Sequence, residues 1–345
     1  MRCEAMTIFL NRACPRGCPQ CGISDGSRKP LSVGQWKEAM SIMSDLFGVR
    51  FFLFLGTEPL VYREGLVELV KWFSSKSLYY GFYSTSPEPL FSQYKQQLVD
   101  AGLINWSSGI DALPGMPMDA VTKYKVQDSI EGLQWMAERG IQTHTQTTIH
   151  KRNLSHIPAI IEWCQDNIPG CSSVMNFIEW KRDARFDFFA PMEDMKDLCW
   201  DGTPEEAAEV DRVMRKVLLL SQVHNRIVQT PVKYLINAHQ HYLHLDQKCN
   251  GVVGPAVDCD GTMRCCGYST GTLSKQYNIF ELATVPNLLQ SFELDWARDV
   301  QECPGCHWIF QDILTSDVRL LNPRSDYYRE RWILTKDQYN KIKGD

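Results

Sequence analysis

The chain has no apolar run approaching the roughly 18 residues of a membrane span. Its first residues, MRCEAMTIFLNRAC, meet charged and cysteine-bearing positions before any stretch of signal-peptide length. A soluble, cytoplasmic protein with no membrane partner is expected. Positive charge is not in excess either, since 36 Lys and Arg stand against 41 Asp and Glu for a formal net charge of -5. Nucleic-acid binding by phosphate neutralisation needs a basic field, so this balance argues against it and favours a small-molecule or peptide substrate. Internal repeats and low-complexity segments are also missing.

What the chain does have is length, apolar content and cysteine. Its 345 residues, 44% of them hydrophobic, suffice for one large domain or a large domain with a small one appended. Thirteen cysteines are many for such a protein. In a reducing compartment, close-spaced cysteines point to metal ligation before disulfides.

From residue 5 to about 180, short β-branched or aromatic runs alternate with amphipathic stretches. The pattern predicts strands at 7–11, 49–55, 78–85, 104–111, 141–149 and 173–180. Trp36, Met40, Met43 and Phe47 recur at helical spacing, as do Leu66, Val67, Val70 and Phe73, giving each helix one apolar face. Further helices are predicted over 90–101, 124–139 and 155–167, each closed by Gly or Pro. Six strands each followed by a helix imply a parallel α/β sheet with its chemistry at the carboxyl ends of the strands. The rhythm breaks at 181–203, a stretch containing Arg182, Asp183, Arg185 and Asp187; a long helix over 204–225 follows. A domain boundary is expected around 226–248, separating 1–226 from 227–345.

Directly after the first strand comes Cys14-Pro-Arg-Gly-Cys18-Pro-Gln-Cys21. Three thiolates on one loop can ligate three irons of a [4Fe-4S] cube and leave the fourth open to a chelating cofactor. The competing reading, structural zinc, needs a fourth ligand from elsewhere. The loop resembles the hallmark of the radical S-adenosylmethionine superfamily, whose fold is a partial (β/α)6 barrel, a TIM-like arrangement. One position departs from it: Gln20 stands where the family usually has an aromatic residue. At the end of the second strand, Leu55-Gly56-Thr57-Glu58-Pro59 resembles the Gly-Gly-Glu-Pro motif that binds the cofactor's methionine amino group. A carboxylate there accepts hydrogen bonds from an ammonium, and Gly56 allows close backbone approach. By the same resemblance, Ser108 or Asp111 on the fourth strand is expected at the ribose, with Thr148 (or Thr147) on the fifth as a further cofactor contact; a strand-end polar group satisfied within the protein is the alternative for each.

A second cysteine cluster lies downstream. Cys249, eleven residues, Gly261, four residues and Cys266 are followed by Cys303-Pro-Gly-Cys306. This resembles the start of the C-terminal extension called SPASM, or its shortened form called twitch. The resemblance implies an auxiliary [4Fe-4S] cluster on Cys249, Cys266, Cys303 and Cys306, with Cys265 or Cys259 as substitutes. A zinc ribbon would use the same thiolates. Cys3, Cys164, Cys171 and Cys199 read as buried or inert thiols, and His239, His241 and His244 do not share one helix face.

Taken together, the resemblance implies an enzyme with S-adenosylmethionine and two [4Fe-4S] clusters, fed by a flavodoxin- or ferredoxin-type donor. It would make a 5′-deoxyadenosyl radical that abstracts a hydrogen atom. An auxiliary cluster accepting an electron would give oxidation, whereas Cys259 or Cys265 returning a hydrogen atom would give epimerisation. Only 13 residues precede Cys14, too few for the leader-binding domain of many peptide-modifying members. The expected substrate is therefore a small molecule of secondary metabolism, with modification of a ribosomal peptide as the alternative.

Overall fold

The first three strands form on short apolar or aromatic runs, while the next three carry more polar residues, and amphipathic helices bury their apolar stripes against the sheet. The computed structural model describes residues 5–16, 28–54, 57–76, 78–116, 126–178, 197–223, 226–230, 235, 255–264 and 276–302. Across them the chain alternates β1 (Ala5–Ile8), α1 (Val33–Phe47), β2 (Phe51–Phe54), α2 (Glu64–Lys76), β3 (Tyr79–Phe82) and α3 (Leu90–Asp100). It continues through β4 (Asn105–Gly109), α4 (Val126–Ala137), β5 (Gln142–Ile149), α5 (Ile157–Asn167), β6 (Ser172–Phe177) and α6 (Pro204–Val223).

Helix α1 shows how local sequence sets these limits. Ser32 accepts from the Gln35 amide while the Gln35 side chain accepts from the Ser32 amide, a reciprocal cap that fixes the start. Gly48, with φ of 74°, ends the helix in a left-handed turn that a side chain would strain. Between them Trp36, Ala39, Met40, Met43 and Phe47 are buried, which is the predicted apolar stripe.

β1–β2–β3 pair in parallel, as do β4–β5–β6, and a bridge between Tyr83 and Ser107 joins the two sets. The result is the expected partial barrel. On the helix-facing side, Phe54 stacks on Phe82 at 4.5 Å and Phe73 of α2 lies 4.8 Å from Tyr80. The interior face differs between the halves. Phe51 and Leu53 crowd Gly81, where an added Cβ would come within 3.3 Å of Leu53. Across the barrel, Ser107, His144 and Ser172 stand in register. There His144 Nδ1 lies 2.6 Å from Ser172 Oγ, and Gln229 Nε2 donates to the same hydroxyl at 2.9 Å.

The sheet does not stop at the boundary expected around 226–248. β7 (Ala256–Val257) lies parallel to β1, β8 (Thr262–Arg264) pairs antiparallel with β7, and β9 (Tyr277–Asn278) pairs antiparallel with β8. Helices α7 (Ile279–Thr284) and α8 (Leu288–Glu302) follow, and Phe292 of α8 packs on Phe47 of α1 at 5.9 Å and on Tyr277 at 5.3 Å. Residues 255–264 and 276–302 thus share the barrel's own core, because strands of two or three residues cannot bury a face without β1 beside them.

Asp258, just after β7, fastens this addition. Its fully buried carboxylate accepts from Arg12 Nε at 2.9 Å and from Arg264 Nε at 2.9 Å, and Arg28 Nη1 lies 3.3 Å away. Burial alone would raise the carboxyl, but the hydrogen bond from Arg12 and the charges of Arg264 and Arg12 hold it at about 2. A depressed carboxyl contributes stability above its unfolded value, and that stability is lost as pH falls through the folded value. Replacing Asp258 by Asn is expected to cost about 3–5 kcal/mol at neutral pH, as for other broken buried pairs. Urea unfolding should show the gap to wild type narrowing as pH drops from about 4 towards 2.

Candidate active site at the carboxyl ends of the strands

The segment leaving β1 is laced to the end of β2. Asn11 Oδ1 accepts from the Ala13 amide at 2.8 Å, and its Nδ2 donates to the Glu58 carbonyl at 3.1 Å. Thr57 Oγ1 donates to the Asn11 carbonyl at 2.9 Å. These bonds place Cys14, half-buried, at the rim beside Thr57 and Glu58. Cys18, Cys21, Gln20 and Gly56 lie outside the described residues.

Glu58 is buried and richly held. One carboxylate oxygen accepts from the Leu60 amide at 3.1 Å and from Ser84 Oγ at 2.7 Å. The other accepts from the Thr85 amide at 2.9 Å and from Thr85 Oγ1 at 3.1 Å. Burial pushes this carboxyl up, while the hydroxyl and amide donors of Ser84, Thr85 and Leu60 pull it down. Four donors match the acceptor capacity of a carboxylate. Glu58 therefore braces the end of β2 against the end of β3, and an incoming ammonium would displace a hydroxyl, the rotatable donor of the set.

Sequence reasoning missed Thr85 and Arg16. Arg16, between the first two cysteines of the loop, donates from Nε to Thr85 Oγ1 at 3.1 Å and pairs with Asp128 of α4 at 2.7 Å. Thr85 thus joins the cysteine loop to Glu58. Its only signal in the sequence is the polar run Ser84-Thr85-Ser86 closing a strand.

On the opposite rim, Asp111 accepts from the Thr148 amide at 2.7 Å, and Asn153 Nδ2 ties the Asp111 and Thr148 carbonyls at 3.0 and 2.9 Å. Burial drives the Asp111 carboxyl up to about 7, against the Thr148 hydrogen bond. Ser108 donates to the Ser84 carbonyl at 2.5 Å and stitches β4 to β3. Beside Asp111, the Thr148 side chain is half-buried. Asn176 on β6 and His150 after β5 also lie at this rim, and sequence reasoning named neither; the signal available was the polar run Gln142 to Thr148 inside a strand.

Cys259 lies fully buried in the β7–β8 turn, its thiol 4.0 Å from the Arg28 carbonyl. Burial, then the Asp258 and Asp260 charges, push it up to about 12, so it is a protonated thiol. Cys249, Cys265, Cys266, Cys303 and Cys306 lie outside the described residues, as do Arg182, Asp183, Arg185, Asp187, His239, His241 and His244. Among the described residues no three His, Cys, Asp or Glu side chains group as a metal site. Cys164, Cys171 and Cys199 are buried, as expected of inert thiols.

A cysteine-bearing loop after β1, a buried carboxylate at β2 and polar rims on a partial barrel define a class. Residues 8–164 match the model of the Radical SAM superfamily. The chain is also similar to the PqqA peptide cyclase of Bradyrhizobium diazoefficiens, 30% identical over 167 residues that make up 47% of this chain and 43% of that protein. The match therefore spans less than half the length of that relative. In fold it resembles SuiB of Streptococcus suis bound to S-adenosylmethionine, with a TM-score of 0.63 at 12% identity over 84% of this chain and 65% of SuiB. It also resembles anSMEcpe with bound AdoMet, with a TM-score of 0.54 at 12% identity over 98% of this chain and 96% of that one. No helix among the described residues is long and apolar enough to cross a membrane.

The raised Asp111 carboxyl gives a test of the rim. A group whose folded value lies above its unfolded one gives full stability below about 4, lost as pH rises through about 7. Asp111→Asn should remove this dependence: urea midpoints taken between about pH 5 and 8 should fall for wild type relative to the variant.

Proposed function

We propose that the chain is a radical SAM maturase that removes a hydrogen atom from a residue of a peptide. The similarity to PqqA peptide cyclase carries this reading, since it spans 167 residues at 30% identity. The small-molecule substrate expected from the short stretch ahead of Cys14 gives way to it. A structure of SuiB with its precursor peptide SuiA has the same fold, with a TM-score of 0.62 at 12% identity over 94% of this chain.

Cys14, Cys18 and Cys21 would hold the first [4Fe-4S] cluster. Gly56, Thr57 and Glu58 would meet the methionine end of AdoMet, and Asp111 and Thr148, with Ser108 behind them, its ribose. The residues fit such a guest: on one rim the Glu58 amide donates to the carbonyl of Ala13, next to Cys14, and sealed polar atoms without partners lie on the other. Together cluster and AdoMet supply a carbon-centred radical for hydrogen abstraction. The chain's part is to hold the target C–H close and to exclude water and competing donors.

An auxiliary [4Fe-4S] cluster on Cys249, Cys266, Cys303 and Cys306 would take up the substrate's second electron, with electrons entering from a flavodoxin- or ferredoxin-type donor. We favour oxidation over epimerisation because Cys259, a candidate hydrogen donor, is sealed in the β7–β8 turn; Cys265 is the remaining candidate. Anaerobically reconstituted protein should contain about eight irons per chain for two cubes and release 5′-deoxyadenosine on reduction. Changing Cys14, Cys18 and Cys21 to alanine should abolish that release. Zinc at the loop, or activity surviving the triple change, would refute the reading. Mass spectrometry of treated peptides in deuterated water should show loss of two hydrogens, not deuterium gain.

A further inference from the structure

Two rings look into the barrel at one level. Tyr83, at the close of β3, is bridged to Ser107 of β4, which is in register with His144 of β5 and through it with Ser172 of β6. Gly81, two residues before Tyr83, faces Leu53 and Phe51 on the interior side, so Tyr83 points inward as well. On β5, Thr145 bonds Ser173, whose hydroxyl meets Gln165 of α5; those residues face the helices, and His144 and Gln146 face the interior. His144 lies four residues before Thr148, about 13 Å below the carboxyl rim.

Both rings are half-exposed. Burial nevertheless pushes the Tyr83 phenol well above its ordinary value and holds the His144 imidazole down to about 4. Access to open space together with suppressed ionisation marks an enclosed lumen, since water at an outer surface would solvate the charged forms. The donors of both rings are also unspent. The Tyr83 hydroxyl is not sealed and has no hydrogen-bond partner among the described residues. Gln229 Nε2 donates to His144 Nδ1 at 3.1 Å, which leaves the ring hydrogen on Nε2, and that atom is likewise open and without a partner among the described residues.

Between the two rings, on the strand that separates them, stands the small Ser107. Two strand spacings, about 10 Å, lie between the ring-bearing backbones, which leaves the gap open to one flat group. The adjoining wall, Phe51 and Leu53 of β2, is apolar. Among the described interior positions of β1 to β6 below Asp111, none carries an acidic or basic chain other than the neutral His144. A charged guest would lose its water there without gaining a counter-charge.

We propose that Tyr83, Ser107 and His144 form a slot inside the barrel, beneath the AdoMet rim, that takes the side chain of the target residue and selects a flat, uncharged one whose terminal oxygen accepts from the Tyr83 O–H and the His144 N–H. A tyrosine side chain has that form. That the guest belongs to a peptide rests on the maturase reading above; the slot itself does not.

Saturation-transfer NMR on the reconstituted, AdoMet-loaded protein tests this with the N-acetyl amides of tyrosine, phenylalanine, glutamate and lysine. The tyrosine amide should bind, and the other three at least about tenfold more weakly. Tyr83→Phe should weaken the tyrosine amide by about tenfold and leave the phenylalanine amide unchanged, because only the hydroxylated probe uses the lost O–H. His144→Leu should abolish the preference for tyrosine over phenylalanine amide, and His144→Gln, whose amide nitrogen reaches the Nε2 position, should keep it. AdoMet affinity should hold in all three variants, which sets the slot apart from the cofactor site. Equal losses for both probes in Tyr83→Phe, no loss for either, equal losses in the two His144 variants, or a fall in AdoMet affinity overturns the slot. So does wild-type, AdoMet-loaded protein that binds none of the amides, or binds the others as well as tyrosine. Wild-type protein that takes up no AdoMet would instead sink the proposed function, and the same probe measurements on that protein would still decide the slot.

Discussion

A single buried carboxylate, Asp258, is met by the guanidinium groups of Arg12, Arg28 and Arg264. Arg12 lies just ahead of Cys14 and Arg28 just beyond Cys21, so both ends of the cysteine loop are tied to one atom group on the C-terminal hairpin. Arg264 directly precedes Cys265 and Cys266. Two backbone bonds add to the tie, from the Phe9 amide to the Val257 carbonyl and from the Leu31 amide to the Cys259 carbonyl, at 2.9 and 2.7 Å. A buried charge tolerates no half-made arrangement, since removing one partner strands the rest in low dielectric. The hairpin and the two described segments that flank the cysteine loop, at Arg12 and Arg28, are therefore held together.

With the loop ends fixed, the two rims differ in how they use hydrogen bonds. At β1–β3 every acceptor of Glu58 is filled, and Arg16 and Thr85 extend that network to the cysteine loop. Such saturation holds groups rigidly without further reorganisation, as positioning for chemistry requires. At β4–β6 the balance is reversed, and Asn176 and His150 keep sealed hydrogen-bonding capacity unused. One rim is built to hold its shape and the other is left to be completed.

What the sequence made legible was local or carried by motif. The α1 stripe and the six alternating strands follow from spacing alone, and Cys14 and the Thr57-Glu58-Pro59 segment stand where strand ends were expected. The junction of β7 with β1 was not legible, because two-residue strands carry no period and their pairing spans some 250 residues of sequence. Ser108 shows the same limit: its residue type fits a ribose contact, but its hydroxyl is committed to the Ser84 carbonyl across the sheet. Thr85 and Asn176 have no local mark, since their meaning comes from what lies on the neighbouring strand.

The barrel interior bears on substrate class. Burial holds His144 down to about 4, so it is neutral, and Ser172 and Gln229 engage its Nδ1 side. His150 is neutral for the same reason, first burial and then the charge of Arg152. His144 and His150 therefore offer direction without charge. A carbon-centred radical needs its target held within a fraction of an ångström, and uncharged, oriented hydrogen bonds supply that constraint without the desolvation cost of an ion. A substrate recognised this way presents neutral donors and acceptors at regular spacing, which a peptide backbone does, and this accords with the peptide reading proposed above.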